Sequence, residues 1–195
     1  MAIGSPDKAA RLDQLRVYAD VQVRSGFRAA AEVRSDVFEA ARDEVQEPAE
    51  AQRLTDEFVS AAHASLAAEA AGWPEVTEYD RLQAAFADLR AGGVVVLEAV
   101  DDHWAANEKL DEMRATGRQP RGIAYFTHTD IWHAVEHRML ELNLWHGTSA
   151  NVAEGDDLLG FVTDTLAAHG IESVFDEGRI EVSVAWQRRP FAASH

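Results

Sequence analysis

Apolar residues recur at helical spacing through the first third of the chain. Two stripes follow an α-helical period: Leu12, Leu15, Tyr18 and Ala19, and then Val33, Val37, Phe38 and Ala41. A third helix is predicted over residues 49–71, with these side chains facing inward: Leu54, Phe58, Ala61, Ala62, Ser65 and Leu66. Breaks are expected near Gly26 and Pro48, since glycine and proline interrupt helices. The pattern predicts an N-terminal helical region over residues 1–72.

The next helix has a start signal and a stop signal. Thr77 is predicted to cap its first turn, with Asp80 reaching back to the cap, and Gly92 and Gly93 are predicted to end it. Its buried face is predicted to consist of Leu82, Ala85, Phe86 and Leu89. From Val94 to Leu97 the chain is continuously apolar, which is typical of a strand covered on both faces.

Strands and helices then alternate. The predicted strands are Val94 to Val100, Ile123 to Thr127, Leu140 to Trp145, Ile171 to Phe175 and Arg179 to Trp186. The predicted helices between them are His103 to Ala115, Asp130 to Arg138 and Asp157 to His169. Asp176-Glu177-Gly178 predicts a tight hairpin, and the alternation after it predicts an edge or half-exposed final strand.

These elements predict an α+β or α/β fold. N-terminal helices precede a mixed, largely parallel sheet of about five strands, and a β-hairpin closes it. The expected organisation is a helical region over 1–72, an α/β domain over 73–189 and a tail over 190–195. The connection from Thr127 to Leu140 is short for a crossover between parallel strands, so a more mixed sheet is the open alternative.

Polar side chains and a histidine follow each of the first three strands. These groups are Asp101, Asp102 and His103; Thr127, His128 and Asp130; and His146, Thr148 and Ser149. If the three strands run parallel, their carboxyl ends meet at the edge where open α/β sheets bind ligands. Nitrogen and oxygen donors there could hold a divalent metal or form an acid–base pair. The alternative is that these residues only cap helices and make turns.

The segment from Tyr125 to His137 is the richest in chemistry, with three histidines. His133 and His137 are four residues apart, as in helical metal sites, but the His-Glu-x-x-His pattern is absent. A helical projection places both histidines away from the apolar stripe, which is formed by Ile131, Trp132, Val135 and Met139. Trp104, Trp132 and Trp145 are expected near the same sheet edge, either lining a pocket or belonging to the core.

Composition removes several classes of function. Acidic residues outnumber basic ones 34 to 18, giving a formal charge of −16, so binding to nucleic acid or to an anionic membrane is not expected. The chain has no cysteine, which excludes disulfides, thiolate catalysis and zinc fingers. Phosphate-loop, dinucleotide-binding and nucleophile-elbow motifs are absent. No secretory signal or spanning segment is evident, and a cytoplasmic location is expected.

The stretch from Trp73 to Gly92 resembles the opening motif of a family of uncharacterised bacterial proteins, a domain of unknown function. The residues that carry this resemblance are Trp73-Pro74, Thr77, Asp80-Arg81-Leu82, Ala85-Phe86 and Leu89, followed by Gly122 to Val135, Gly170-Ile171 and Arg179-Ile180 to Arg188. The resemblance covers roughly Trp73 to Arg189. It implies a cysteine cluster where this chain has Asp101-Asp102-His103-Trp104, a histidine near Thr127, and an aspartate at Asp130.

Two functions remain open from the sequence. The first is a cytoplasmic binding or regulatory module with an acidic surface, recognising a protein or a small molecule. The second is a small metal-dependent or acid–base enzyme, with His103, His128 and His146 as ligands or bases and Asp102 and Asp130 as ligands or orienting groups. The alanine-rich N-terminal helices also allow a homodimer, although no heptad pattern supports one.

Overall fold

The computed structural model describes residues 8–190, which form seven helices and five strands. The chain divides into two compact units: one runs up to Trp73 and takes in the segment from Arg188 onward, and the other is Pro74–Gln187. The α+β class is confirmed, with helices first and a mixed sheet after them. The assignment of 1–72 and 73–189 to separate domains stays a prediction, and the predicted tail lies outside the described residues apart from Pro190.

The first unit contains three helices, α1 (Lys8–Ser25), α2 (Ala30–Val45) and α3 (Pro48–Ala70). The predicted breaks are confirmed. Gly26 has a φ of 70°, which glycine adopts without strain, and Pro48 occupies the first turn of α3. The helices share a core of small and aliphatic side chains: Leu15, Ala19, Val23, Val33, Val37, Ala41, Ala51, Leu54, Phe58, Val59, Ala62 and Leu66.

Three side chains predicted to face this core are exposed: Tyr18, Ala61 and Ser65. The prediction was wrong for them because the buried stripe is narrow. On α3 it follows residues four apart, from Leu54 to Leu66, and leaves the flanking positions in solvent.

The second unit contains the sheet. Its elements are α4 (Glu78–Ala91), β1 (Val94–Val100), α5 (His103–Ala115), β2 (Gly122–Thr127), α6 (His128–His137), β3 (Met139–His146), α7 (Asp157–Ala168), β4 (Ser173–Asp176) and β5 (Arg179–Ser183). The predicted cap of α4 is confirmed: Asp80 N donates to Thr77 Oγ1 at 3.1 Å, and Thr77 N donates to Asp80 Oδ2 at 2.8 Å. None of the helices in residues 8–190 combines the length and the apolar character needed to cross a membrane.

The strand order is β1-β2-β3-β5-β4. Only β1 and β2 pair in parallel, while β3 runs antiparallel to β2 and to β5. The expectation of three parallel strands is therefore wrong, and the more mixed alternative is confirmed. The cause is the length of the connections: α6 spans only about 15 Å and a single residue separates it from β3, so the chain cannot return along the sheet before the next strand.

The final strand also differs from the prediction. It ends at Ser183 instead of Trp186, and it lies between β3 and β4, so it is not one of the two edge strands, β1 and β4. The half-exposed alternative is confirmed, since Ile180 and Val182 are buried and alternate with more exposed residues. The alternation of apolar and polar residues reports that one face of a strand is covered. It does not report whether the strand has one neighbour or two.

Helices cover both faces of the parallel pair. On one face, Ala106 and Leu110 of α5 pack with Ile123 and Tyr125 of β2. The next residue, Phe126, points to the other face because side chains alternate along a strand. There its ring lies 6.2 Å from that of Phe86 on α4. Two of the three predicted clusters of polar residues follow the carboxyl ends of β1 and β2.

Candidate functional site at the carboxyl ends of β1 and β2

The parallel pairing brings two of the three predicted polar clusters together. Val100 is in register with Thr127, so the residues that follow β1 and β2 leave the sheet at the same edge. His128 Nε2 lies 3.9 Å from Asp101 Oδ1, which is ion-pair distance but beyond a hydrogen bond. The side chain of Asp101 is 92% exposed. This edge is consequently an accessible place with carboxylate and imidazole groups.

A β-bulge directs the chain at this edge. Ala99 has a φ of 55°, in the left-handed region, and the register with β2 shifts between Leu97 and Val100. A left-handed alanine costs free energy that the surrounding structure has to offset. Bulges bend a strand and re-aim the side chains that follow, so this one sets the direction of Asp101 and Asp102.

Asp102 caps the helix that follows β1. Its Oδ1 accepts a hydrogen bond from Trp104 N at 2.8 Å, which satisfies one of the free N–H groups in the first turn of α5. The cap exposes the next two side chains: the ring of His103 lies against that of Trp104 at 4.7 Å, and Trp104 is 61% exposed. An exposed indole thus lies beside the two carboxylates.

Asp130 is the buried carboxyl of the site, with 7% exposure. Its Oδ2 accepts hydrogen bonds from Thr127 N at 2.6 Å and from Thr127 Oγ1 at 2.8 Å, which closes a capping box at the start of α6. Burial raises the pKa of Asp130 above its ordinary value, the bonds from Thr127 oppose this, and the nearby carboxylate of Glu141 adds to it. Asp130 is therefore a helix cap held in a desolvated position.

Tyr125 belongs to this edge, and sequence reasoning missed it. The pKa of its hydroxyl is raised to about 12, mainly by burial and in smaller part by the carboxylates of Asp130 and Asp102. The negative charges of both aspartates thus disfavour ionisation of this hydroxyl. The signal in the sequence was its place in β2, two residues before Thr127, but a tyrosine in an apolar strand is typical of the core.

His146 does not join this group, contrary to the predicted cluster with His103 and His128. Because β3 is antiparallel to β2, His146 is in register with Gly122, at the start of β2. Its Nε2 lies 2.9 Å from Asp156 Oδ2. A backbone bond from Ala153 and this contact lower the pKa of Asp156. Across residues 8–190, no three histidine and carboxylate side chains gather closely enough to hold a metal ion.

The histidine pair on α6 is only partly as predicted. His137 is exposed, whereas His133 is half-buried, with Nδ1 3.9 Å from Glu141 Oε1 and without a hydrogen-bond partner. The predicted apolar stripe is right for Ile131, which is buried, and wrong for Trp132, which is 40% exposed; Asp130 and Ala134 are the other buried positions of α6. The helix turns its capping aspartate inward, which rotates the buried face away from Trp132.

Of the three tryptophans expected at this edge, Trp145 is on β3 and not on a helix that follows β1 or β2. It pairs with Ile123 near the beginning of β2, and its ring packs edge-on against Tyr125 at 4.9 Å. Trp104 and Trp132 are exposed on the helices that follow β1 and β2. The site therefore consists of exposed carboxylates, exposed indoles, His128 and two buried residues, Asp130 and Tyr125.

The fold and this site define an α+β protein with an acidic, aromatic sheet edge. Residues 8–190 match the family model described as Domain of unknown function (DUF6891), and the chain belongs to that family. The match confirms the predicted resemblance and extends it to the N-terminal helices. The cysteine cluster and bacterial origin of relatives stay predictions. Comparison with curated proteins and with solved structures found no match.

Replacing Asp130 with asparagine is expected to change how stability depends on pH. The pKa of Asp130 is raised in the folded state, so its carboxyl contributes stability that is fully present below the unfolded pKa, about 4, and is lost as the pH rises through the folded pKa. The free energy of unfolding of the wild type, relative to Asp130→Asn, should therefore fall as the pH rises above about 4. Urea unfolding over a pH series measures this difference.

Asp80→Asn is the matched control, because Asp80 holds the same capping-box position on α4 with an exposed side chain. A wild-type-minus-Asp130→Asn difference that stays constant from about pH 4 to pH 7 would show that burial does not govern this carboxyl.

Proposed function

We propose that this protein is a binding module that recognises a cationic group of a partner at the carboxyl ends of β1 and β2. The observation that carries the proposal is the pair Asp101 and Asp102: within residues 8–190, neither carboxylate lies within 4.0 Å of a lysine or arginine nitrogen. Beside them the indole of Trp104 is 61% exposed. Carboxylates next to an exposed aromatic face are the groups that bind ammonium and guanidinium ions.

The charge of the whole chain favours the same kind of partner. A formal charge of −16 attracts cations over distances comparable to the Debye length, about 8 Å at physiological salt, and repels phosphate backbones. A basic peptide segment or a small amine fits both the long-range field and the local groups. A cytoplasmic location stays a prediction, in keeping with the absence of cysteine.

Titration with tri-arginine, followed by two-dimensional NMR, tests the proposal. We expect saturable shifts at the amides of Asp101 to His103 and at the indole N–H of Trp104. In the double variant Asp101→Asn/Asp102→Asn, the dissociation constant should rise about fivefold or more, because two partly exposed ion pairs are lost. Asparagine caps a helix as well as aspartate does, so α5 should keep its start.

The control removes the same charge elsewhere. Asp164 on α7 and Glu172, just before β4 at the other edge of the sheet, are exposed carboxylates, so Asp164→Asn/Glu172→Gln should leave the dissociation constant nearly unchanged. Equal weakening in both double variants, or no saturable shift near Trp104, would contradict recognition at this edge and leave only general attraction.

One observation favours the alternative of an acid–base enzyme. Asp130 and Tyr125 both have raised pKa values at a sheet edge, as catalytic acids often do. The capping bonds from Thr127 occupy Asp130 Oδ2, which weighs against a free catalytic group. Purified protein that retained about one equivalent of metal, lost in His128→Ala, would favour the metal-dependent form of this alternative over the binding module.

A further inference from the structure

A second pocket lies at the opposite ends of β1 and β2. Its volume is about 500 Å³, and it is lined by Arg90, Gly93, Val94, Val95, Met113, Arg118, Gln119, Pro120 and Arg121. Three arginines and no acidic residue line it, although acidic residues outnumber basic ones 34 to 18 in the chain. The pocket is therefore positively charged, whereas the chain as a whole and the site at the carboxyl ends of β1 and β2 are acidic.

Arg121 is held in place without a carboxylate. Its guanidinium carbon lies 4.1 Å from the centre of the Phe161 ring, and its Nη2 donates to the carbonyl of Asp157 at 3.3 Å. Its backbone N donates to the carbonyl of Gly93 at 2.9 Å. Stacking and a backbone acceptor fix the position of the guanidinium while leaving its charge unneutralised.

Gly92 makes this arrangement possible. A Cβ at this position would come within 2.3 Å of the Phe161 ring, so the ring packs directly over the backbone of Gly92. Such a close approach is available only to glycine. The platform under Arg121 is thus built from α7 and from the turn that ends α4.

The other two arginines differ in charge balance. Arg90 donates to Glu98 Oε1 at 2.7 Å, so its charge is paired. Arg118 donates its Nε to Thr116 Oγ1 at 3.2 Å, and no carboxylate oxygen in residues 8–190 lies within 4.0 Å of its nitrogens. Arg90 and Arg118 lie near the C-termini of α4 and α5, where the helix dipole favours positive charge. The same effect does not explain the position of Arg121, which directly precedes β2.

The remaining walls are apolar, formed by Val94, Val95, Met113 and Pro120. A volume of about 500 Å³ is within the usual range for small-ligand sites. Guanidinium groups recognise oxyanions by paired N–H donors. We propose that this pocket binds a small organic oxyanion, a carboxylate or a phosphate monoester on an apolar body, with Arg121 and Arg118 holding the charged end. This site does not rest on recognition at the carboxyl edge.

Calorimetric titration at low ionic strength tests the site with four probes: phenyl phosphate, phenylacetate, inorganic phosphate and phenethylamine. We expect saturable binding of at least one aromatic oxyanion, and which one binds distinguishes phosphate from carboxylate. Inorganic phosphate should bind more weakly because it leaves the apolar walls uncovered. Phenethylamine should not bind in this pocket.

Arg121→Gln and Arg118→Gln should each raise the dissociation constant of the oxyanion about tenfold or more, since each substitution removes a charge-assisted hydrogen bond. Arg114→Gln is the matched control: Arg114 is on α5, is paired with Asp111, and does not line the pocket. It should change the affinity by no more than about twofold. If Arg121→Gln fails to fold, Arg118→Gln carries the test, because Arg118 makes no ring contact of this kind.

Three results would contradict the proposal, two of them by removing the site itself. They are no saturable binding of either aromatic oxyanion to the wild type, equal weakening by Arg114→Gln, and inorganic phosphate binding as tightly as phenyl phosphate. The first two remove the arginine site, and the third removes the apolar body from the proposed ligand.

Discussion

Phe126→Ala is expected to lower the free energy of unfolding by about 3 to 5 kcal/mol. Phe126 is fully buried in β2, and its ring packs edge-on against Trp186 at 6.0 Å and lies 6.2 Å from Phe86. Truncation to alanine removes the transfer free energy of the ring and leaves a cavity between Phe86 and Trp186, whose rings cannot both move inward to fill it. Urea unfolding, followed by circular dichroism, measures the loss.

Val174→Ala is the control for this prediction. Val174 is 65% exposed on the edge strand β4, so its truncation should change the free energy of unfolding by no more than about 0.5 kcal/mol. A loss below about 1 kcal/mol for Phe126→Ala would mean that the aromatic core is not as closely packed as the ring distances indicate.

Gly147→Ala is expected to cost about 3 kcal/mol, at the upper end for inserting one methyl group. A Cβ at Gly147, just after β3, would lie 2.1 Å from the carbonyl oxygen of Pro120 and 3.1 Å from its carbon. Both atoms belong to the backbone, so relief requires the segment before β2 to shift. Pro120 also lines the arginine pocket, and the same substitution should weaken oxyanion binding there.

Gly160→Ala is the same chemical change with the opposite expected sign. Gly160 is in the interior of α7, and nothing lies within 4 Å of a Cβ built there. Alanine should raise the free energy of unfolding by about 0.5 to 1 kcal/mol, because it restricts the unfolded chain and suits a helix. Denaturation midpoints that move in the same direction for both variants would contradict the steric argument at Gly147.

Local sequence signals predicted the elements well. The helix from His103 to Ala115 and the strand from Val94 to Val100 have the predicted bounds, because a cap, a change of period and flanking turn residues define each one. The Thr77 and Asp80 box was readable for the same reason. Helix caps and strand boundaries depend on residues only a few positions apart, so the local sequence is sufficient to predict them.

Strand direction was harder to predict, and the predicted site depended on it. His103, His128 and His146 were expected together, yet only the first two follow parallel strands. The sequence did contain the deciding fact, the short connection from Thr127 to Leu140. This connection excludes a parallel β3 only because α6 is short and ends with a single residue before β3, and the residue pattern alone does not give those bounds.

The arginine pocket could not be predicted at all. Its charged residues come from the end of α4, from the segment after α5 and from the start of β2. They meet only because β1 and β2 pair in parallel, with Val94 beside Gly122. Single arginines near helix ends are common, and their unpaired charge becomes visible only when the surrounding carboxylates have been located in space.

The left-handed turn at Ala99 has a consequence for how copies of this protein behave toward one another. β1 is the apolar outermost strand of the described sheet, and such strands recruit further strands into fibrils. In β1 the left-handed residue Ala99 interrupts the regular spacing of backbone hydrogen-bonding groups. Arg90 donates a hydrogen bond to the carbonyl of Val96, and Glu98 adds a carboxylate to the same strand. Because the strand is irregular at Ala99 and the carbonyl of Val96 is already occupied, we expect β1 to be a poor template for a strand of another copy, even in concentrated solution.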